Sequence, residues 1–354
     1  MLSSTGNFAP FRFEIFPHLF RGKPFQNSMH PLPFDRSQLL IKPLAQRDHD
    51  LDISTIKDLK PSAPSSLVEK LNPLANKIIT ARKKGRAIVL MMGAHVIRAG
   101  VQRYLIDLMQ RGYISCLAMN GAGIIHDYEF ARVGATTESV ARYIQTGEFG
   151  LWKETGELND ILATAYKNNP KEGMGRAVGQ AIDASSFPHK DISLFCAAYR
   201  LGISATVHVG MGYDIIHEHP NCDGAATGAL SYNDFLFYTG ALQKLEGGVV
   251  MNFGSAIMAP EIYLKALSMC RNIARQNNES IRKFSTLVCD LHDLPEDFTT
   301  EPPRNSAAYY FRPWKTMLVR TVADGGESFY VRGNHAETLP ALWTCIDNLE
   351  KSKR

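Results

Sequence analysis

Apolar residues fall along this chain in two alternating rhythms. Short unbroken runs of strand length, Ala87–Met92 (AIVLMM) and Ile114–Met119 (ISCLAM), flank Val96–Arg111, where Val101, Leu105, Leu108 and Met109 recur at helical spacing. An unbroken run suits a parallel strand buried on both faces, whereas the i, i+4, i+7 spacing gives a helix one apolar stripe. The same alternation predicts further strands at Ile203–Val209, Val249–Asn252, Phe284–Cys289, Thr316–Thr321 and Ser328–Val331. Helices are predicted at Ser65–Lys84, Thr136–Tyr143, Glu157–Asn168, Asp191–Leu201, Tyr232–Leu245, Glu261–Asn277 and Thr338–Glu350. Pro73 marks a kink or a junction of two short helices, and Pro260 suits a first turn. Strand–helix–strand alternation predicts an α/β fold, a Rossmann-like parallel sheet with helices on both faces, over residues 61–354. Residues 1–60, rich in proline and phenylalanine, lack a sustained period and read as an irregular arm with one short strand. This arm is expected to pack over the main body or a neighbouring subunit.

Composition narrows the function. Of 354 residues 45% are hydrophobic and 21% charged, enough apolar material for a large core. The net charge of +4 comes from dispersed basic residues, not from the clustered stripe a nucleic-acid protein needs. Six cysteines, widely spaced and without a CxxC, suit a reducing compartment, so a cytoplasmic location is expected. No apolar run reaches the ~18 residues of a membrane span, and the N-terminus lacks the pattern of a signal peptide.

Candidate chemistry gathers at the predicted strand ends. Gly93-Ala94-His95, Asn120–Gly123, His208–Asp214 and Asn252–Ala256 all combine small residues with polar ones. Such loops let backbone N–H groups approach a phosphate, although none is a GxGxxG fingerprint. The densest stretch is Gly202–Asp223, with His208, Asp214, His217, His219, Cys222 and Asp223. His126 and Asp127 are placed to pair, and His335 and Glu337 open the last helix. Imidazole titrates near working pH, so His126, His208 and His217 are acid/base candidates, with Asp214 for substrate binding or base chemistry. An alternative takes His208, His217, His219 and Cys222 as zinc ligands of a hydrolase or deaminase, with Asp214 accepting a proton from bound water.

These residues resemble the deoxyhypusine synthase family over roughly residues 68–350. The best stretch is Ile88–Asp127. The family's SNxxSSG-like helix start corresponds to Ala94–Gly100 and its TAGGVEED loop to Asn120–Asp127. Gly147-Glu148-Phe149 repeats its GEF turn, His208–Asp214 matches TDGSLGD, and Glu246–Phe253 matches GGGVVKHH. Pro313-Trp314-Lys315 echoes SWGK, and Tyr330–Ala336 echoes VYADA. The resemblance implies a Rossmann-like domain in homotetramers, NAD, and C–N oxidation of a polyamine with an imine on a lysine. The cofactor positions it implies are Ala94, His95, Asn120, Gly121, Ala122, Gly123, Gly247, Gly248, Asn334 and His335. The substrate positions are Asp214 and Trp314, with Lys315 as nucleophile.

The chain also departs from that family. Ile125 and His126 replace two glutamates, Asn252 or Phe253 stands for a histidine, and an acidic polyamine-binding segment has no counterpart in Leu291–Arg304. The expectation is therefore a deoxyhypusine-synthase-like, NAD-dependent enzyme acting on a different small amine or amino acid, as a homo-oligomer. Its partners include neither nucleic acid nor membrane. A nucleotide-binding protein without chemistry is the further alternative.

Overall fold

The computed structural model describes residues 33–352. Among them are eight strands, β1 (Leu51–Asp52), β2 (Ile88–Met92), β3 (Cys116–Asn120), β4 (Ala135–Thr136), β5 (Ser204–His208), β6 (Val249–Phe253), β7 (Ser285–Asp290) and β8 (Glu327–Arg332). Six of these form one sheet in the order β5-β3-β2-β6-β7-β8, and every pairing within it is parallel. From β2 the chain first builds outward through β3 to β5. It then returns to β6 on the other flank of β2 and continues to β7 and β8. This is the doubly wound order of dinucleotide-binding folds, and the reversal opens a crevice outside the carboxyl ends of β2 and β6.

The unbroken apolar runs are explained by the two layers they serve. Ile88, Leu90 and Met92 of β2 join one core, while Ala87, Val89 and Met91 join the other. Leu117 and Met119 of β3 likewise face away from Cys116 and Ala118. The first layer carries the helices Ser65–Lys83, Gln102–Gln110, Met174–Ala184 and His335–Lys351, and the second Met258–Gln276 with part of Gly224–Leu242.

Three local expectations are corrected. Val96–Arg111 is not one helix but two, His95–Arg98 and Gln102–Gln110. Gly100 between them has φ +71°, and its Cα lies against the backbone of Thr55, so no side chain fits. Thr316–Thr321 is not a strand: Pro313–Arg320 is a π-helical segment packed on β7 and β8, with Trp314, Met317 and Leu318 in the second core. Ser65–Lys83 runs as one helix through Pro73, which excludes the junction of two short helices, its buried face of Leu67, Leu71, Leu74 and Ile78 anchored in the first core. The helix Met174–Ala184 has no predicted counterpart.

The expected arm lies partly outside the described residues. From Ser37 onward the chain belongs to the same compact unit as the sheet. β1 pairs antiparallel with β4, Lys42 bridges Trp152, and Leu44 packs with Tyr143 and Trp152. Among the described residues no helix is long and apolar enough to cross a membrane.

Gly100→Ala is expected to lower stability by more than about 1 kcal/mol, because positive φ and the Thr55 backbone both oppose a Cβ. Thermal denaturation followed by circular dichroism checks this, and an unchanged melting temperature would contradict the close approach.

Candidate functional site

A cavity of about 320 Å³ opens beside the carboxyl ends of β3 and β5. Arg47, Arg98, His126, Glu129, Thr137, Glu138, Tyr213 and Asp214 line it, together with Ala122, Phe149 and Ile215. Its polar wall rests on a buried ion pair. Arg47 donates to both oxygens of Glu129, at 2.9 and 2.8 Å, and both side chains are about 1% exposed. Thr155 Oγ1 and Thr136 Oγ1 donate to the same carboxylate at 2.5 and 2.6 Å, which completes its acceptors. Burial alone would raise the Glu129 pKa, but the Arg47 charge and these hydrogen bonds outweigh it and hold the carboxylate below its ordinary value.

That pair determines the state of His126. Thr136 has one hydroxyl hydrogen and gives it to Glu129, so its oxygen accepts from His126 Nδ1–H at 2.8 Å. Nε2 is then the unprotonated nitrogen of a neutral ring. Burial pushes the His126 pKa down to about 4, with smaller lowering contributions from Arg98, Arg47 and His95 against an opposing one from Glu129. The expected pairing with Asp127 is corrected. Asp127 turns to the other side of its helix, Gly121–Val133, and accepts from Ser193 Oγ at 2.5 Å and Leu194 N–H at 2.7 Å, capping the helix Leu194–Leu201.

Asp214 is the unsatisfied group. It is 8% exposed, and its carboxylate lies against Gly121, where any side chain would collide with it. Burial pushes its pKa up to about 6, opposed only by a hydrogen bond from Ala122 N–H, and Oδ2 has no partner. Glu138 is also raised by burial; it accepts from Trp152 Nε1–H at 2.8 Å and Gly150 N–H at 3.1 Å. Thr137 stands at φ +62°, a left-handed conformation that is costly for a β-branched residue. Such strain, on the order of 1–3 kcal/mol, gathers at ligand sites. An orphaned carboxylate oxygen, an open imidazole nitrogen and a strained threonine thus share one cavity.

The other predicted residues are distributed as follows. His217 Nδ1 accepts from Gly212 N–H and Asp214 N–H, both at 3.2 Å, so it fixes the loop that presents Asp214. His219 donates from Nε2 to Gly150 O at 2.8 Å and is buried. His208 donates from Nε2 to Thr206 Oγ1 at 2.9 Å and stands edge-on to Tyr238; burial drives its pKa down to about 3. The zinc alternative is corrected on this geometry. Among the described residues no three His, Cys, Asp or Glu side chains are placed to share a metal ion, and these histidines are committed to different neighbours.

Of the implied cofactor positions, Ala94, His95, Asn120, Gly121, Ala122, Gly123, Asn334 and His335 lie at or just beyond the carboxyl ends of the strands. Gly93 approaches Gly254 so closely that a Cβ would meet its carbonyl oxygen. His335 packs against Gly254 and edge-on to Phe253, with Nδ1 buried and unpartnered. Asn120 Oδ1 accepts from Gly123 N–H, and Asn334 Oδ1 from Ala336 N–H, so each caps its helix. Gly247 and Gly248 are not brought to this group: they precede β6, at the opposite end of its five residues, ~16 Å away at 3.3 Å per residue. Trp314 is buried in the second core with its N–H on Phe298 O at 3.0 Å, and Lys315 Nζ lies 3.5 Å from the centre of the Tyr309 ring. Neither lines the cavity of Asp214.

Sequence reasoning missed Arg47, Glu129, Thr137, Glu138 and Arg98. Single charged residues in ordinary helical or loop contexts carry no local signal, and a threonine does not announce a positive φ.

Two substitutions test the cavity. Folding raises the Asp214 pKa from its ordinary 3.8, so its protonated form contributes stability below about pH 4 that is lost as pH rises through about 6. Asp214→Asn is expected to remove that loss, gaining on the order of 2 kcal/mol relative to wild type between pH 4 and pH 7 in chemical denaturation. An identical pH dependence in both proteins would sink the assignment. Thr137→Gly relieves the strained φ, and its melting temperature should stay within a few degrees of wild type or rise. A large drop would show that the threonine side chain, not its backbone, matters to the fold.

No family model matches the sequence, and no curated protein does. Solved structures do match. AgrE, determined as a ternary complex with ornithine and NAD+, is 15% identical over 84% of this chain and 35% of its own, with a TM-score of 0.48. A protein assigned to LOR/SDH from Methanococcus maripaludis S2 is 14% identical over 83% of this chain and 74% of its own, with a TM-score of 0.46. One assigned as a deoxyhypusine synthase from Entamoeba histolytica is 9% identical over 80% and 88%, with a TM-score of 0.39. The chain spans about a third of the length of AgrE. Likeness at this level says nothing about chemistry; the expected resemblance to deoxyhypusine synthase does have a counterpart among these structures.

Proposed function

We propose that this protein is an NAD-dependent enzyme that oxidises a C–N bond of a small amine or amino acid, the substrate occupying the cavity of Asp214. One observation carries the reading: the sheet reverses its order between β2 and β6, and a cavity holding an unpaired acid opens along the same edge. A reversal of strand order is where open parallel sheets bind dinucleotides. Gly93 and Gly254 pack backbone to backbone there, and His335 leaves a buried nitrogen without a partner. Gly93, Ala94, His95, Gly254, Asn334 and His335 would hold the group. When bound, NAD supplies the acceptor of two electrons and one hydrogen from the substrate carbon.

The chain's own residues supply the rest. An ammonium must lose a proton for its carbon to be oxidised to the iminium. Asp214, with a pKa near 6, is an ionised acceptor at neutral pH that can take that proton and release it to water. His126 Nε2 offers a fixed lone pair that orients the amine N–H without competing for the proton, since the ring stays neutral down to about pH 4. Glu138 adds a second carboxylate toward a cationic substrate. His95, in the short helix after β2, meets Arg98 of the cavity wall through Nε2 at 3.3 Å, and burial holds its pKa below the ordinary value.

Thermal-shift titration with NAD+ tests the cofactor. A hundredfold excess over the dissociation constant is expected to stabilise the fold by ~2.7 kcal/mol. His335→Ala should weaken this shift at least tenfold in midpoint, and Asp214→Asn should leave it unchanged while abolishing amine-dependent NADH formation. Saturable binding with no turnover on any amine or amino acid would favour a nucleotide-binding protein without chemistry; no response to NAD+ would remove the redox reading.

A further inference from the structure

The charges around the Asp214 cavity do not match a simple polycation. Arg47 and Glu129 cancel each other within the wall. What remains facing the space is two carboxylates, Asp214 and Glu138, and one guanidinium, Arg98. Arg98 has no carboxylate within ion-pair distance among the described residues, and its single polar contact is His95 Nε2 at 3.3 Å. A guanidinium presents five donors in a fixed fork suited to a carboxylate, and here they point to no acid of the protein. A ligand carrying only ammonium groups would meet Arg98 as a like charge, whereas a zwitterion meets an opposite charge at each end. A space of about 320 Å³ suits a molecule of amino-acid size.

We infer that the ligand of this cavity is an α-amino acid, its carboxylate held by Arg98 and its ammonium by Asp214 and Glu138, and not a polyamine. The inference rests on the reading of this cavity as the substrate site. It makes Arg98 the residue that sets specificity. His126 lines the same cavity, neutral and with Nε2 open, so it adds no charge to either end. Tyr213, which also lines the cavity, is 86% exposed and lies at the solvent side of the loop, where a side chain of the ligand can extend.

Isothermal calorimetry on the full-length protein, with and without NAD+, tests this. The probes are amino acids paired with the amine left by removal of their carboxylate: L-lysine with cadaverine, L-arginine with agmatine, L-leucine with isopentylamine. At least one amino acid is expected to bind tenfold or more tightly than its amine. Arg98→Gln should weaken that amino acid at least tenfold and change its amine less than twofold. Arg98→Lys should recover only part of the loss, because it restores charge without the fork. Arg98 is exposed and its one contact is long, so both variants should keep the wild-type melting temperature. Amines that bind as tightly as their amino acids would overturn the inference and leave the cavity as an amine site. A loss of NAD+ affinity in Arg98→Gln, with amino-acid binding intact, would assign the arginine to the cofactor and overturn it as well. Absence of binding by every probe to the wild-type protein would overturn the cavity reading and this inference together.

Discussion

The bidentate contact between Arg47 and Glu129 is the constraint on which the site depends. Two charges about 1% exposed are tolerable only because every acceptor of the carboxylate is used. Removal of either partner would strand a buried charge, a loss on the order of 3–5 kcal/mol. The pair ties a segment that precedes the sheet to the helix Gly121–Val133, and through Thr155 to the helix Lys153–Asn168. Its effect reaches further than packing. An ionised Glu129 obliges Thr136 to donate, which obliges it to accept from His126, which leaves Nε2 of that ring open. The protonation of a carboxylate whose acceptors are already filled thereby selects the tautomer of the imidazole beside it.

Much of the fold was legible in the sequence because buried parallel strands have a simple signature. Ala87–Met92 and Ile114–Met119 are apolar throughout since successive residues enter different cores, and both segments are strands. Thr316–Thr321 misled for a related reason: Met317, Leu318 and Val319 are apolar because a π-helical segment lays them on β7, and a run that short cannot tell helix from strand. Gly100 broke the expected helix at Val96–Arg111 through contact with Thr55, forty-five residues earlier, which no local pattern encodes. Of the candidate site, Asp214 and His126 stood out in the sequence, one in the loop after β5 and the other in the first turns of the helix that follows β3. The site was illegible in Arg47, Glu129 and Thr137, whose roles arise from distant pairings and from one backbone angle.

Burial and a shifted pKa do not by themselves distinguish a working acid from a structural one. Asp127 and Asp214 are both buried and both pushed up to about 6. Asp127 has a hydroxyl and two backbone N–H donors on it and caps a helix. Asp214 takes backbone N–H donors only, keeps Oδ2 without a partner and lines a cavity. The cost of keeping the first carboxylate in the interior is offset by the helix it starts. The second also caps a turn, Ile215–Glu218, but its Oδ2 stays without a partner, and a buried polar atom left unsatisfied calls for an explanation that a helix cap does not supply.

The same reasoning bears on the crevice at the strand reversal. Dinucleotide folds usually place a glycine-rich turn and the start of a long helix after the first strand. Here β2 is followed by a single glycine and the short helix His95–Arg98, so that turn offers little backbone to a diphosphate. Across the gap the backbone is closely packed instead: Gly254 adopts φ +64° against His335, and Gly93 is buried with no room for a Cβ beside the Gly254 carbonyl. Binding in this crevice would therefore draw on both sides of the reversal at once, on the loop after β2 and on the loops that follow β6 and β8. A ligand held that way would lie beside His95, whose Nε2 is 3.3 Å from the Arg98 guanidinium in the wall of the Asp214 cavity. The loop after β2 thus joins the reversal of the sheet to the cavity of Asp214 through one imidazole and one guanidinium.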